Sequence, residues 1–165
     1  MKAITENSKT IVFFDGEKLI ARLVYQKRLS SNASIRFPDG TVYEIVSLDF
    51  WKSVFEIQYE GKPVIAFRKK WTGKTAIETL QQAGRSLYTF RQRGFFDTRY
   101  VLSDKDDREL AVVRSKFRWK GLTYDFHIQI SDSLKRRDDH LLLVILMTYL
   151  ARLFIRQRHS SAAVS

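Results

Sequence analysis

The sequence predicts a mainly β protein: a closed antiparallel β-barrel enclosing a hydrophobic central helix late in the chain. Two observations lead there. Leu141-Leu142-Leu143-Val144-Ile145-Leu146-Met147 is an unbroken apolar run, and at about 100° per residue such a run leaves no side of an α-helix for water. Upstream of it, strand-like runs and turn signals recur about every ten residues, the spacing of a sandwich or barrel.

The elements follow in order. Residues 10–14 lead into the turn pair Asp15-Gly16, then into 18–26, where Leu19, Ala21, Leu23 and Tyr25 share one face. Residues 34–37 meet Pro38-Asp39-Gly40, a turn signal with a fixed φ and a permissive glycine, and 41–48 follow. Trp51, Ser53, Phe55, Ile57 and Tyr59 alternate with Lys52, Glu56 and Gln58, the pattern of a half-buried strand. Glu60-Gly61 turns the chain into 62–71. Thr75 and Glu78 then fit a capping box and Gly84 a helix C′ position, which predicts a short helix over 76–83. Strands resume over 86–92, 95–102, 109–119 and 122–130, with Ser103-Asp104-Lys105-Asp106-Asp107-Arg108 as a charged loop.

The central helix is expected over 139–158, with Asp138 or Asp139 capping its start and Arg152, Arg156 and Arg158 suiting its negative end. Lipid is the competing sheath. The stretch 141–155 would extend only ~22 Å, against a hydrocarbon core of about 30 Å, and Arg152 interrupts it. A barrel threaded by the helix covers every side of it and removes exposed sheet edges. No transmembrane segment is therefore expected.

The chain has 165 residues, 44% of them hydrophobic and 13% aromatic, so residues 1–158 read as one domain and 159–165 as a flexible polar tail. It has no cysteine, which excludes disulfides, thiolate catalysis and cysteine-ligated metals. Met1-Lys2-Ala3-Ile4-Thr5-Glu6 lacks the apolar run of a secretory signal, so a cytoplasmic location, peripheral to a membrane, is the expectation. The formal net charge of +11 favours an anionic partner such as a phospholipid surface, nucleic acid or an acidic protein.

Three sets of residues carry a resemblance: Phe95-Phe96-Asp97-Thr98-Arg99-Tyr100-Val101-Leu102-Ser103-Asp104, then Leu110-Ala111-Val112-Val113-Arg114, then Asp138-Asp139-His140-Leu141-Leu142-Leu143. With the β-rich body, they resemble the Tubby C-terminal-like superfamily, which includes the LURP-one-related proteins and the phospholipid scramblases. Tyr100, Leu102 and Asp104 match its Tyr-x-Leu-x-Asp pattern. The resemblance implies a barrel of about twelve strands around a central helix. It implies no single activity, since members are linked to phosphoinositide binding, membrane tethering and lipid scrambling. The cysteine cluster and proline-rich N-terminus of scramblases have no counterpart here.

No constellation declares a reaction, so neither a catalytic residue nor a cofactor is assigned. Thr72-Gly73-Lys74-Thr75 looks like the end of a P-loop, but Arg68 stands where that motif needs its first glycine. His127, His140 and His159 have no second ligand at metal spacing. Asp104, Asp106 and Asp107 lack the glycine and terminal glutamate of a calcium loop.

Cations give the stronger signal. Arg114, Lys116, Arg118 and Lys120 alternate with Val113, Phe117 and Trp119, so all four share one strand face, a stripe of ~20 Å at about 3.3 Å per residue. A Lys120-Gly121 turn would set Arg114 opposite His127, Lys116 opposite Asp125 and Arg118 opposite Thr123. Arg68-Lys69-Lys70, with Lys74, forms a second cluster, and Arg91 with Arg93 and Lys135-Arg136-Arg137 form others; the last would keep the barrel mouth solvated. The expected function is a non-enzymatic module docking to anionic phospholipid headgroups. A nucleic-acid-binding or protein-interaction barrel is the alternative, and Phe117 and Trp119, alternating away from the stripe, weigh against base stacking.

Overall fold

The computed structural model describes residues 1–27, 30–49, 51, 53–81, 84–94, 98–119 and 123–162. Among them twelve strands run in chain order: β1 Lys2–Asn7, β2 Thr10–Asp15, β3 Lys18–Tyr25, β4 Ala33–Arg36, β5 Val42–Ser47, β6 Val54–Tyr59, β7 Lys62–Lys69, β8 Lys74–Gln81, β9 Gly84–Arg93, β10 Arg99–Ser103, β11 Glu109–Arg118 and β12 Thr123–Ile130. Each pairs antiparallel with its successor, and β12 returns to β1 to close the ring. A one-turn helix α1, Asp132–Lys135, leads into the long helix α2, His140–Ala162.

Strand alternation fills the ring. Ala21, Leu23 and Tyr25 of β3, Phe55 and Ile57 of β6, and Ile65 and Phe67 of β7 are buried in one core with Phe90 of β9 and Phe126 of β12. Within it runs α2, in which every residue from 143 to 151 is buried. Ile145 is 1% exposed and Met147 0%, so strands, not solvent, meet the helix on all sides. Residues His140–Arg158 also have the length and mean hydropathy, 1.4, of a membrane-crossing segment; 61% of that window is buried inside the barrel. Thr148 avoids a bare hydroxyl there by donating to the Val144 carbonyl at 3.2 Å.

Four elements differ from the sequence reading, the one-turn helix α1 among them, since no element was expected between 130 and 139. The short helix expected over 76–83 is strand β8, with Thr75, Ile77 and Thr79 turned into the core; residues 82 and 83 lie outside the described residues. These β-branched residues recur with period two, and pairing on both sides with β7 and β9 outweighs a local capping signal. Strand β1 lay outside the expected set. Helix α2 continues to Ala162, past the expected end at Arg158 and into the segment read as a flexible tail.

The helix start is built otherwise than expected. The Asp139 carbonyl accepts from the Leu143 N–H at 3.0 Å, but its buried carboxylate takes two bonds from Arg137, at 3.0 and 3.1 Å. Arg137 also reaches Ser86 Oγ at 3.1 Å and lies over the Tyr88 ring. This arginine latches the helix lead-in to β9 instead of solvating the mouth.

Glu60 and Gly61 link β6 to β7 with φ values of 49° and 75°, the left-handed pair that a two-residue hairpin of matching twist requires.

Candidate functional site

The register expected for the basic stripe is the one found: Arg114 faces His127, Lys116 faces Asp125 and Arg118 faces Thr123 across β11 and β12. The stripe is nevertheless mostly occupied within the fold. Arg118 Nη2 donates to the Thr5 carbonyl at 2.7 Å, and Nη1 lies 3.7 Å from Asp125. Asp125 therefore pairs with Arg118 and not with Lys116, and its other oxygen accepts from the Thr5 N–H at 3.1 Å. Thr5 Oγ1 donates to the Tyr124 carbonyl.

This cluster closes the barrel. The β1–β12 ladder pairs Lys2 with His127 and Ala3 with Phe126, and beyond it side chains take over. Arg114 donates to Gln129 at 3.2 Å. Lys116 is exposed, and Lys120 lies outside the described residues. The inner face of β11 outruns the core: Phe117 is partly exposed, and Trp119, packed edge-on against it at 5.1 Å, is largely in solvent. The two rings alternate away from the stripe as expected, but at this end of the strand their face is open to solvent.

Arg68 and Lys70 stand in a better site. Register sets Arg68 beside Ala76 and Thr89, and Ala66 beside Glu78 and Leu87. Alanine and threonine at outward positions leave a depression on the outer wall, a groove of about 520 Å³ whose lining includes Arg68, Lys70, Glu78, Leu87 and Lys105. A recess of about 220 Å³ adjoins it and adds Lys74, Arg91, Asp104 and Asp107. Each nearby carboxylate already holds an arginine: Glu78 with Arg85 at 3.2 Å, Asp107 with Arg91 at 2.5 Å, Asp104 with Arg108 at 2.9 Å. Burial works against the Asp104 charge, but hydrogen bonds from Arg108 and the Asp106 N–H hold its pKa below the ordinary aspartate value. Arg68, Lys70, Lys74 and Lys105 take no part in an ion pair among the described residues.

Four cations thus converge on two connected hollows whose anions are already neutralised. The arrangement can receive a multiply charged anion, and no nucleophile is set against a base there. Reading 76–83 as a helix hid it, since that reading removes the strand that brings Arg68, Lys74 and Arg91 together. Lys105 arrives from a loop about thirty residues downstream of Lys74, which no local pattern announces. Of the histidines, His127 is exposed on its strand, and His140 Nδ1 lies 2.6 Å from the Arg137 carbonyl at the helix start.

Comparison with known proteins gave no match among family models, curated proteins or solved structures.

Proposed function

We propose that this barrel is a non-enzymatic module that docks to anionic phospholipid headgroups, with the Arg68–Lys70–Lys74–Lys105 groove as the principal seat and the β11 face as a lesser one. The observation that carries the reading is the set of four cations without carboxylate partners among the described residues, around a groove whose own acids are paired. Arg68 supplies a planar fork suited to a phosphate, and the lysines supply mobile point charges. At about 1 kcal/mol per cation near an anionic leaflet, the four together give an affinity of order millimolar for the charged surface. Docking of this kind is salt-sensitive and relies on a surface rich in charge. Kinship with the Tubby C-terminal-like superfamily is part of the proposal, supported by the twelve-strand ring around a helix. A cytoplasmic, membrane-peripheral location belongs to it as well.

Flotation with vesicles of phosphatidylcholine alone or mixed with phosphatidylserine tests this. Capture is expected only with the anionic mixture, reversed by salt, and strongly reduced by Arg68→Glu with Lys70→Glu. Arg114→Glu with Lys116→Glu is expected to weaken it less. Equal recovery on neutral and anionic vesicles would discard the reading.

One observation favours a second reading. The exposed Trp119 just past the end of β11 offers a stacking face for a nucleic-acid base. A gel shift with a steep salt slope, abolished by Trp119→Ala, would move the assignment there.

A further inference from the structure

In a closed ring of consecutive antiparallel strands, the connections alternate between two rims. The β1–β2, β3–β4, β5–β6, β7–β8, β9–β10 and β11–β12 connections share one of them. All three tryptophans of the chain fall on these: Trp51 between β5 and β6, Trp71 between β7 and β8, Trp119 between β11 and β12. Trp51 is 84% exposed, Trp119 83%, and Trp71 fully so. Leu48, also exposed, belongs to the same rim.

The tryptophan rim is the more cationic of the two. Lys9, Lys27 and Lys70 are exposed on the tryptophan rim. Asp49, also on that rim, is occupied by the Ser53 hydroxyl and the Ser53 and Val54 N–H groups. The opposite rim carries both signs: Glu17, Asp39, Glu60 and Asp106 are exposed there beside Lys18, Lys62, Lys105 and Arg108. The basic end of α2 emerges on the tryptophan side, where Arg152 donates to the Ser8 carbonyl at 2.6 Å and Tyr149 to the Ser31 carbonyl at 2.7 Å.

We infer that the tryptophan rim is a membrane-insertion surface: Trp51, Trp71 and Trp119 enter the interfacial layer of an anionic bilayer while the lysines beside them meet its headgroups and the opposite rim faces away. The inference rests on the headgroup-docking reading and gives it an orientation. Indole rings favour the boundary between headgroups and acyl chains. Three exposed rings on separate connections, interspersed with lysines, suit a broad soft layer. Lys70 and Lys74 flank Trp71 and also line the two hollows, so one approach engages both surfaces.

Because every tryptophan lies on this rim, intrinsic fluorescence of the unmodified chain reports on it alone. With anionic vesicles, emission is expected to shift to the blue and to be quenched by lipid spin-labelled near the headgroup. Trp71→Ala with Trp119→Ala, folded as judged by far-UV circular dichroism, is expected to partition about a hundredfold more weakly, at about tenfold per partly buried ring. Capture on anionic vesicles with unshifted, unquenched emission would overturn the rim and leave headgroup docking standing. No capture of the wild-type chain would overturn both. A blue shift without lipid that grows with protein concentration, with doubled mass by light scattering, would overturn insertion in favour of a rim-to-rim pair.

Discussion

Removing the Asp125 carboxylate should open the barrel seam. In Asp125→Ala the Thr5 N–H, on a residue only 7% exposed, loses its acceptor at 3.1 Å. An unsatisfied buried donor costs about 1–3 kcal/mol. The ion pair to Arg118 at 3.7 Å is lost too, but the Arg118 side chain is 41% exposed, so screening leaves at most about 0.5 kcal/mol from it. The expected loss is about 2 kcal/mol, or roughly 4–8 °C in Tm for a chain of this length. Arg118→Ala, which gives up a bond to the half-open Thr5 carbonyl, should cost about 1 kcal/mol. The double variant should show coupling of the two sites. Urea titration gives the stabilities, and amide hydrogen exchange gives the local opening, with Thr5 and Ala3 exchanging faster than residues of β6 or β7. A loss under about 0.5 kcal/mol with unchanged Thr5 protection would refute the claim that these side chains close the ring.

Two further outcomes are expected. Met147→Ala, at a fully buried helix position, should cost about 3 kcal/mol by thermal or urea unfolding; a loss under about 1 kcal/mol would mean the helix is not gripped on that side. Burial pushes the Tyr25 phenol up to about 12 from 10.0, against the opposing pull of Arg152 and Arg156, and burial raises Tyr149 as well. The folded chain thus holds these protons more tightly than the unfolded one. Their stabilising effect is whole below pH 10 and is lost as pH rises through the folded value. Ultraviolet titration, with Tyr25→Phe and Tyr149→Phe as references among the seven tyrosines, should show these two phenols ionising only with unfolding, and their own ionisation near pH 10 in a still-folded chain would contradict the burial.

Most strands were legible because their signals are local: alternation through Ala21, Leu23 and Tyr25, and turn pairs at Asp15-Gly16 and Glu60-Gly61. The helix was legible because seven apolar residues in a row admit no amphipathic solution. Strand β8 was not, since Thr75 and Glu78 satisfy a cap on paper while β7 and β9 decide the matter from either side. Strand β1, with small Ala3 and Thr5 inward, offers little hydrophobic alternation to detect. The cation stripe was drawn with its cross-strand register right, yet its arginines proved to be engaged within the fold, because what Arg118 touches lies on β1, at the far end of the chain in sequence. The groove depends on three strands in register plus a loop. The rim of tryptophans depends on the parity of connections, which exists only once the ring is known to be closed.

The rod that fills the ring follows all twelve of its staves in the order of synthesis. A ribosome therefore delivers the inward Phe55, Phe67 and Phe90 well before it delivers the residues that cover them. Until Leu143 to Ala151 arrive, a ring of those staves would surround a hollow that neither water nor the available side chains can fill well. Native closure is thus a late and collective event, and β12 must find β1 across nearly the whole chain at about the same moment. Such an order leaves greasy strand faces uncovered for much of translation, the period when an early molecule is most open to wrong partners.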